Sequence, residues 1–328
     1  MYKHIYAARN KNYEILEDSR SGGFFSCIAT YIIQKNGAVY GCLLDVENRA
    51  IHGRIDSVEE LNKLRKSKYV QSNMGDIYEQ VLEDLKQDRP VLFSGMACQT
   101  RGVELYIQNV MGYRPDHLYT LNILCYGVPS PILWNDYLKY KQNKFHGNAN
   151  GVQFRNKNIF GWSAHIETFV INNKIHASKD YTSMMYGCDA IRPSCYKCTY
   201  SYKDYPADIT IGDAWGTNKV CPTLRDDKGM SLILTNTQRV EALVEEVLLS
   251  SCEYVELTGL DQCYQPRLYG IANEESNDRR VYWETYYKSF DILLRKYGKE
   301  KLPLKEQIIG YLQWIKRVLK GQVVWNLR

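Results

Sequence analysis

The sequence predicts an α/β protein, α+β in its second half. Helical and strand-like periods alternate between residues 24 and 141, the segments after Gly151 turn extended, and the chain from Asp278 onward reads as helical. The expected architecture is a partly parallel sheet flanked by helices, then extended β segments and a helical C-terminal tail.

Each element has a local reason. The apolar run from Phe24 to Ile33 suits a buried helix that Asn36-Gly37 stops, and Ala38 to Leu44 reads as a strand. Ser57-Val-Glu-Glu60 has the form of a capping box, which predicts a short helix over Val58 to Lys66. Ile77, Val81, Leu82 and Leu85 recur at helical spacing, Arg89-Pro90 breaks that helix, and Val91 to Ser94 reads as a buried strand. Gly102 to Val110 is helix-like, Leu118 to Leu124 strand-like and Ile132 to Lys141 helix-like. A strand, helix, strand succession predicts a parallel pair whose strand ends share one edge of the sheet.

Beyond Gly151, Val152 to Arg155, His165 to Ile171 and Asp208 to Gly212 read as extended, with no helix expected among them. Ser231 to Thr235 is a last apolar strand, and Val240 to Leu249 has the period of a helix packed on it. In the tail, Leu304, Ile308, Ile309, Leu312, Ile315 and Leu319 form an apolar stripe among Lys305, Lys316, Arg317 and Lys320. We expect that stripe to dock on the protein's own core, with peripheral contact to a membrane surface as the lesser alternative.

Composition removes several function classes. Forty-two basic residues against 37 acidic ones give a net charge of +5, spread along the chain, so no segment resembles a nucleic-acid arm. The start lacks a signal-peptide core, and no apolar stretch is long enough to span a bilayer, which predicts a cytoplasmic protein. In a reducing compartment its ten cysteines are expected as free thiols or ligands rather than disulfides. The histidines show no metal spacing, and no Gly-x-Ser-x-Gly setting supports a hydrolase.

Four thiols stand out by position. Cys98 and Cys125 each follow a predicted strand, and Cys195-Tyr-Lys-Cys198 opens a later segment. Ligands of open α/β sheets gather at the carboxyl edge, so the first two thiols are expected to converge there. Gly127, Pro129 and Pro193 give the loops the composition that points backbone amides at sulfur. The spacing of Cys195 and Cys198 alone fits half of a structural zinc site or a dithiol pair equally well, and Cys188 could replace one of the four. Cys27, Cys42, Cys221, Cys252 and Cys263 read as core thiols. Ser21-Gly22-Gly23 before an apolar helix offers a pyrophosphate a close backbone approach, and Lys68, Gln71, Ser72 and Asn73 could add polar contacts.

In order, Ser21-Gly-Gly-Phe24, Tyr69-Val-Gln-Ser72, Val91 to Gly95 with Cys98-Gln99, Cys125-Tyr-Gly-Val-Pro-Ser130, and Arg192 to Cys198 with Ala207 to Gly216 resemble the coenzyme F-420 hydrogenase/dehydrogenase beta-subunit family. The resemblance spans roughly residues 20 to 290. It implies FAD beside a 4Fe-4S cluster, with Cys98, Cys125, Cys195 and Cys198 as metal ligands. Ser21, Gly22, Gly23, Lys68, Gln71, Ser72 and Asn73 match segments associated with the flavin. Ala97 stands where a proline is usual and Tyr126 where a histidine is usual, and the ferredoxin-like module with which many relatives begin is absent from this sequence. An external electron donor is then expected, either a ferredoxin-like protein or a reduced nicotinamide or deazaflavin.

The resulting expectation is a flavin core over residues 1–147, an extended β part holding the cysteine pair over 148–277, and a helical tail over 278–328. The function implied is an oxidoreductase passing electrons between cluster, FAD and a substrate, of the type associated with surface-polysaccharide loci. The competing expectation is a zinc-stabilised or metal-free scaffold subunit of a glycan-assembly complex. No residue is assigned a catalytic role.

Overall fold

The computed structural model describes residues 3–187, 189–200, 205–224, 226–269 and 274–299, with 304, 308, 312 and 315. In chain order the strands are β1 (His4–Asn10), β2 (Ala38–Leu44), β3 (Ala50–Ile55), β4 (Val91–Met96), β5 (Leu118–Ile123), β6 (Asn150–Gln153), β7 (Glu167–Ile171), β8 (Lys174–Ser178), β9 (Ile209–Asp213), β10 (Ser231–Thr235) and β11 (Cys252–Glu256). The helices are α1 (Tyr13–Asp18), α2 (Phe24–Gln34), α3 (Leu61–Leu64), α4 (Ile77–Lys86), α5 (Ala97–Met111), α6 (Pro131–Phe145), α7 (Lys157–Phe160), α8 (Asp180–Tyr186), α9 (Pro193–Tyr196), α10 (Glu241–Ser251), α11 (Arg279–Lys288) and α12 (Phe290–Tyr297).

The chain forms two units, one of residues 1–131 with 191–274 and the other of 132–190 with 275–328. The first is built on an eight-stranded sheet of order β11-β1-β10-β9-β5-β4-β2-β3. Its middle strands β2, β4, β5 and β9 run parallel, while β1, β3, β10 and β11 pair antiparallel with their neighbours. This mixed sheet flanked by helices is the α/β fold that the alternating pattern predicts.

The layers follow from which residues the helices bury. Phe24, Ile28 and Ile32 of α2 join Val244, Val247 and Leu248 of α10 over Val39, Leu92, Leu121 and Ile233 of the sheet. Ile77, Val81 and Leu85 of α4 with Val103 and Ile107 of α5 pack on Tyr40, Val91 and Phe93. Each such side chain withdrawn from water contributes about 2 kcal/mol.

Several elements differ from the sequence reading. The capping box at Ser57 does not form: Ser57 makes no side-chain cap bond, and Val58–Glu60 is a 3-10 turn leading into α3. Helix α5 begins at Ala97 rather than Gly102, because β4 passes into it without a loop. Helix α8 stands where only extended chain was expected. The edge strands β3 and β11 were not foreseen; with Arg54, Glu253 and Glu256 in them, neither presents an apolar run.

The second unit holds the three-stranded antiparallel sheet β6-β7-β8. Its core is aromatic, with Trp134 and Phe154 rings 4.5 Å apart and Tyr137 and Tyr181 rings 5.4 Å apart. Of the terminal apolar stripe, Leu304, Ile308 and Leu312 are exposed; Ile309, Leu319 and the four basic residues lie outside the described residues. No helix among the described residues is long and apolar enough to cross a membrane.

Candidate functional site

Parallel pairing of β4, β5 and β9 places the ends of β4 and β5 on one edge of the large sheet. Because β4 runs straight into α5, Cys98 occupies the first turn of that helix. At the end of β5, the Leu124 amide donates to Ile211 O (2.9 Å), and Cys125 follows immediately. Gly127 then adopts φ +123°, a region open to glycine, and its amide donates to Cys125 Sγ (3.3 Å). Farther on, Pro129 forms an antiparallel bridge with Ile191, and the Arg192 amide donates to Val128 O (3.0 Å). That pairing lays the 191–198 segment beside the loop carrying Cys125. Pro193 starts the single-turn helix α9, closed by the Cys195 amide on Arg192 O (2.9 Å), with Cys198 just beyond it.

The thiols feel one another. The Cys125 pKa is pushed up to about 12, first by burial and then, against the Gly127 amide, by Cys195, Cys98 and Cys198. Although Cys98 is exposed as a residue, desolvation of its thiol raises its pKa, and Cys198 and Cys195 raise it further. All four are free thiols, drawn from three separate stretches of chain. Among the described residues, no three His, Cys, Asp or Glu side chains are grouped so as to hold a metal ion. Cys188 lies outside the described residues.

A row of polar contacts runs through the start of α2 and the stretch from Arg65 to Asn73. Ser21 Oγ donates to Met230 O (2.6 Å), and a Cβ on Gly22 would stand 2.1 Å from Ala8 O, so the glycine is required where β1 and β10 pass. Gly23 caps α2 in the left-handed region, at φ +82°. Arg65 bridges the two sides of this turn, donating to Asp18 Oδ2 (3.2 Å) and Ser26 Oγ (3.0 Å). Three residues on, Lys68 Nζ donates to the carbonyls of Lys63 and Arg65, and burial lowers its pKa to about 8. The Asn73 amide pairs with Ala50 O (2.9 Å), and Gln71 N–H reaches Pro129 O at 3.5 Å.

Ser72 ends the row. His52 Nε2 faces Ser94 O (3.1 Å), a pure acceptor, so that nitrogen carries the proton and Nδ1 accepts from Ser72 Oγ (2.7 Å). Ser72 Oγ in turn accepts from Gln99 Nε2 (2.9 Å), and Gln99 Oε1 takes the Met96 amide (3.0 Å) at the head of α5. Burial depresses the His52 pKa to about 4, so the imidazole is neutral at ordinary pH. Sequence reasoning missed His52, Arg65 and Gln99 as parts of this region. A lone histidine on an edge strand carries no spacing signal, and only Gln99, beside Cys98 in its motif, could have been flagged.

Beyond the four thiols, Arg267 lies over the Tyr126 ring (4.0 Å) and donates to Tyr126 O (3.1 Å), holding a guanidinium next to Cys125. Asp208 immediately precedes β9, and Asp213 is its last residue. Asp208 is buried and clamped by Arg114 and Arg239 at the opposite end of β9 from Asp213.

Residues 88–262 match the family model that describes the C terminus of the coenzyme F420 hydrogenase/dehydrogenase beta subunit. Among solved structures, a chain of the xenon-derivatised F420-reducing [NiFe] hydrogenase complex from Methanosarcina barkeri is similar in fold. It has a TM-score of 0.55 and 15% identity over 88% of this chain and 94% of that one. No curated protein matches the sequence. The matched region contains Cys98, Cys125, Cys195 and Cys198 and more than half of the residues, and the chain belongs to the coenzyme F420 hydrogenase/dehydrogenase beta-subunit family.

Proposed function

We propose that this chain is a flavin- and iron–sulfur-dependent oxidoreductase in which Cys98, Cys125, Cys195 and Cys198 hold a 4Fe-4S cluster beside FAD. The observation that supports the proposal is that Cys98 and Cys125, which follow the ends of neighbouring parallel strands, each count Cys195 and Cys198 among the groups that raise their pKa. The donor set fits the group. The raised pKa values of Cys98 and Cys125 mean that a cationic centre would be needed to draw them out as thiolates, and an all-sulfur set is soft, as iron–sulfur clusters require.

For the flavin, the reading rests on the row from Ser21, Gly22 and Gly23 through Lys68, Gln71, Ser72 and Asn73. Lys68 supplies an amine that protonates near neutrality, suited to an anionic phosphate. The Ser72–Gln99 hydrogen bond joins that row to the helix bearing Cys98, so the two cofactors would occupy neighbouring ground. Together they would supply the exchange between paired and single electrons. The chain's own residues hold and shield: Gly127 N–H donates to the Cys125 sulfur, and Arg267 places positive charge beside the same loop.

We place the protein in the cytoplasm, where thiols stay reduced, and give it an external donor, either a ferredoxin-like protein or a reduced nicotinamide or deazaflavin. A setting in surface-polysaccharide biosynthesis is part of the proposal and rests on sequence resemblance alone. The test is elemental and flavin analysis of protein purified without oxygen. About four irons with matching sulfide per chain are expected, falling at least severalfold in Cys195→Ser. A chain carrying one zinc and no iron would sink the proposal in favour of a zinc-stabilised scaffold. Ser72→Ala is expected to lower flavin content while leaving iron in place, because Ser72 touches no proposed metal ligand.

A further inference from the structure

Two cysteines outside the candidate site face each other in the core. Cys27 lies in α2 and Cys252 is the first residue of β11, 225 positions later, yet their sulfurs are 3.5 Å apart and both are buried. Asn10, the register partner of Cys252 in β1, donates its side-chain amide to Cys27 Sγ (3.0 Å). The Cys27 sulfur thus accepts from both Asn10 and Cys252, while its own proton has only the Gly23 and Ser251 carbonyls to turn to, at 3.7 and 3.9 Å.

We propose that Cys27 and Cys252 are an oxidative modification site, closing to an intramolecular disulfide when the protein meets a peroxide. Three observations support it: the sulfurs already stand 3.5 Å apart, an amide donor is aimed at one of them, and both residues are buried. Access has a structural route. β11 is the edge strand of the sheet and, among the described residues, pairs only with β1, so local opening of that edge admits a small oxidant to sulfurs otherwise closed to solvent. The charge that develops on an attacking sulfur belongs where the donors point, which makes Cys27 the nucleophile. Its thiolate attacks one peroxide oxygen, the O–O bond breaks, and the sulfur becomes a sulfenic acid as hydroxide leaves and takes up a proton. The Cys252 thiol then attacks that sulfur, the S–O bond breaks, and a second water departs. In sum, two thiols and one hydrogen peroxide give one disulfide and two waters.

The site is independent of the cofactor reading, since neither residue belongs to the proposed ligand set. The experiment treats the full chain with hydrogen peroxide in modest excess, blocks remaining thiols, and maps peptides by mass spectrometry without reductant. A cross-linked pair of the Cys27 and Cys252 peptides, two hydrogens lighter than their sum and released by dithiothreitol, is the expected result. In Cys252→Ala the resolving thiol is gone, and a dimedone adduct on Cys27 is expected to rise severalfold over wild type. Recovery of Cys27 and Cys252 as blocked free thiols, at a peroxide dose that converts methionines of the same chain to sulfoxide, would overturn the proposal. Because wild type alone decides that outcome, a variant that failed to fold would not rescue it.

Discussion

At the scale of single residues, His52 and Glu167 respond to pH in opposite senses. Burial holds His52 neutral, lowering its pKa from 6.5 to about 4, while its Nδ1 accepts from the Ser72 hydroxyl. Its folded value lies below the unfolded one, so its contribution is fully present above about 6.5 and is lost as pH falls towards 4. Glu167, buried in the second unit among Tyr137, Tyr181 and Thr182, has its pKa raised to about 7, chiefly by burial. Its contribution is full below about 4.5 and is lost as pH rises through 7. Each shift corresponds to roughly 3 kcal/mol. Urea unfolding at pH 4.5 and 7 should show His52→Gln losing less stability on acidification than wild type, and Glu167→Gln losing less on alkalinisation. Unchanged slopes in both variants would mean that neither group titrates as its burial implies.

At the scale of elements, the parallel strands carry two different ends. Cys98 and Cys125 follow the carboxyl ends of β4 and β5; at the other end of β9, Asp208 ties strand to strand. Its carboxylate accepts from Thr120 N–H (2.9 Å) on β5, from Arg114 Nη2 (2.6 Å) and from Arg239 Nε (2.8 Å) ahead of α10. Those donors outweigh its burial and hold the carboxyl below its usual pKa. Asp208→Ala leaves two guanidinium groups facing a void and is expected to cost about 3–5 kcal/mol in urea unfolding. A loss under about 1 kcal/mol would show that the clamp is not needed to hold β9. The elements also show where sequence reasoning works. β2 and β10 are legible to the residue, because a buried strand needs an unbroken apolar run between breakers. The Ser57 cap fails although its motif is sound, since a box in sequence becomes a cap only if the chain enters a helix at that residue, and here it enters a 3-10 turn.

For the whole molecule, the sheet order is the decisive fact. β4, β5 and β9 lie side by side, although β9 comes some eighty-five residues after β5. Residues 132–190 of the second unit are inserted between them in the chain and, among the described residues, share no sheet with the strands they interrupt. What the sequence determined on its own was local: the period of each helix, the breakers between elements, and the cysteine motifs whose order carried the family resemblance. Their chemistry depends on short-range pattern, which the chain states directly. Tertiary structure alone decided that Ile191 would bridge Pro129, that Ser72 would reach Gln99, and that Cys27 would lie against Cys252. Those meetings join residues far apart along the chain, and the energy that brings them together is spread over the burial of whole layers, leaving no mark on the residues that meet.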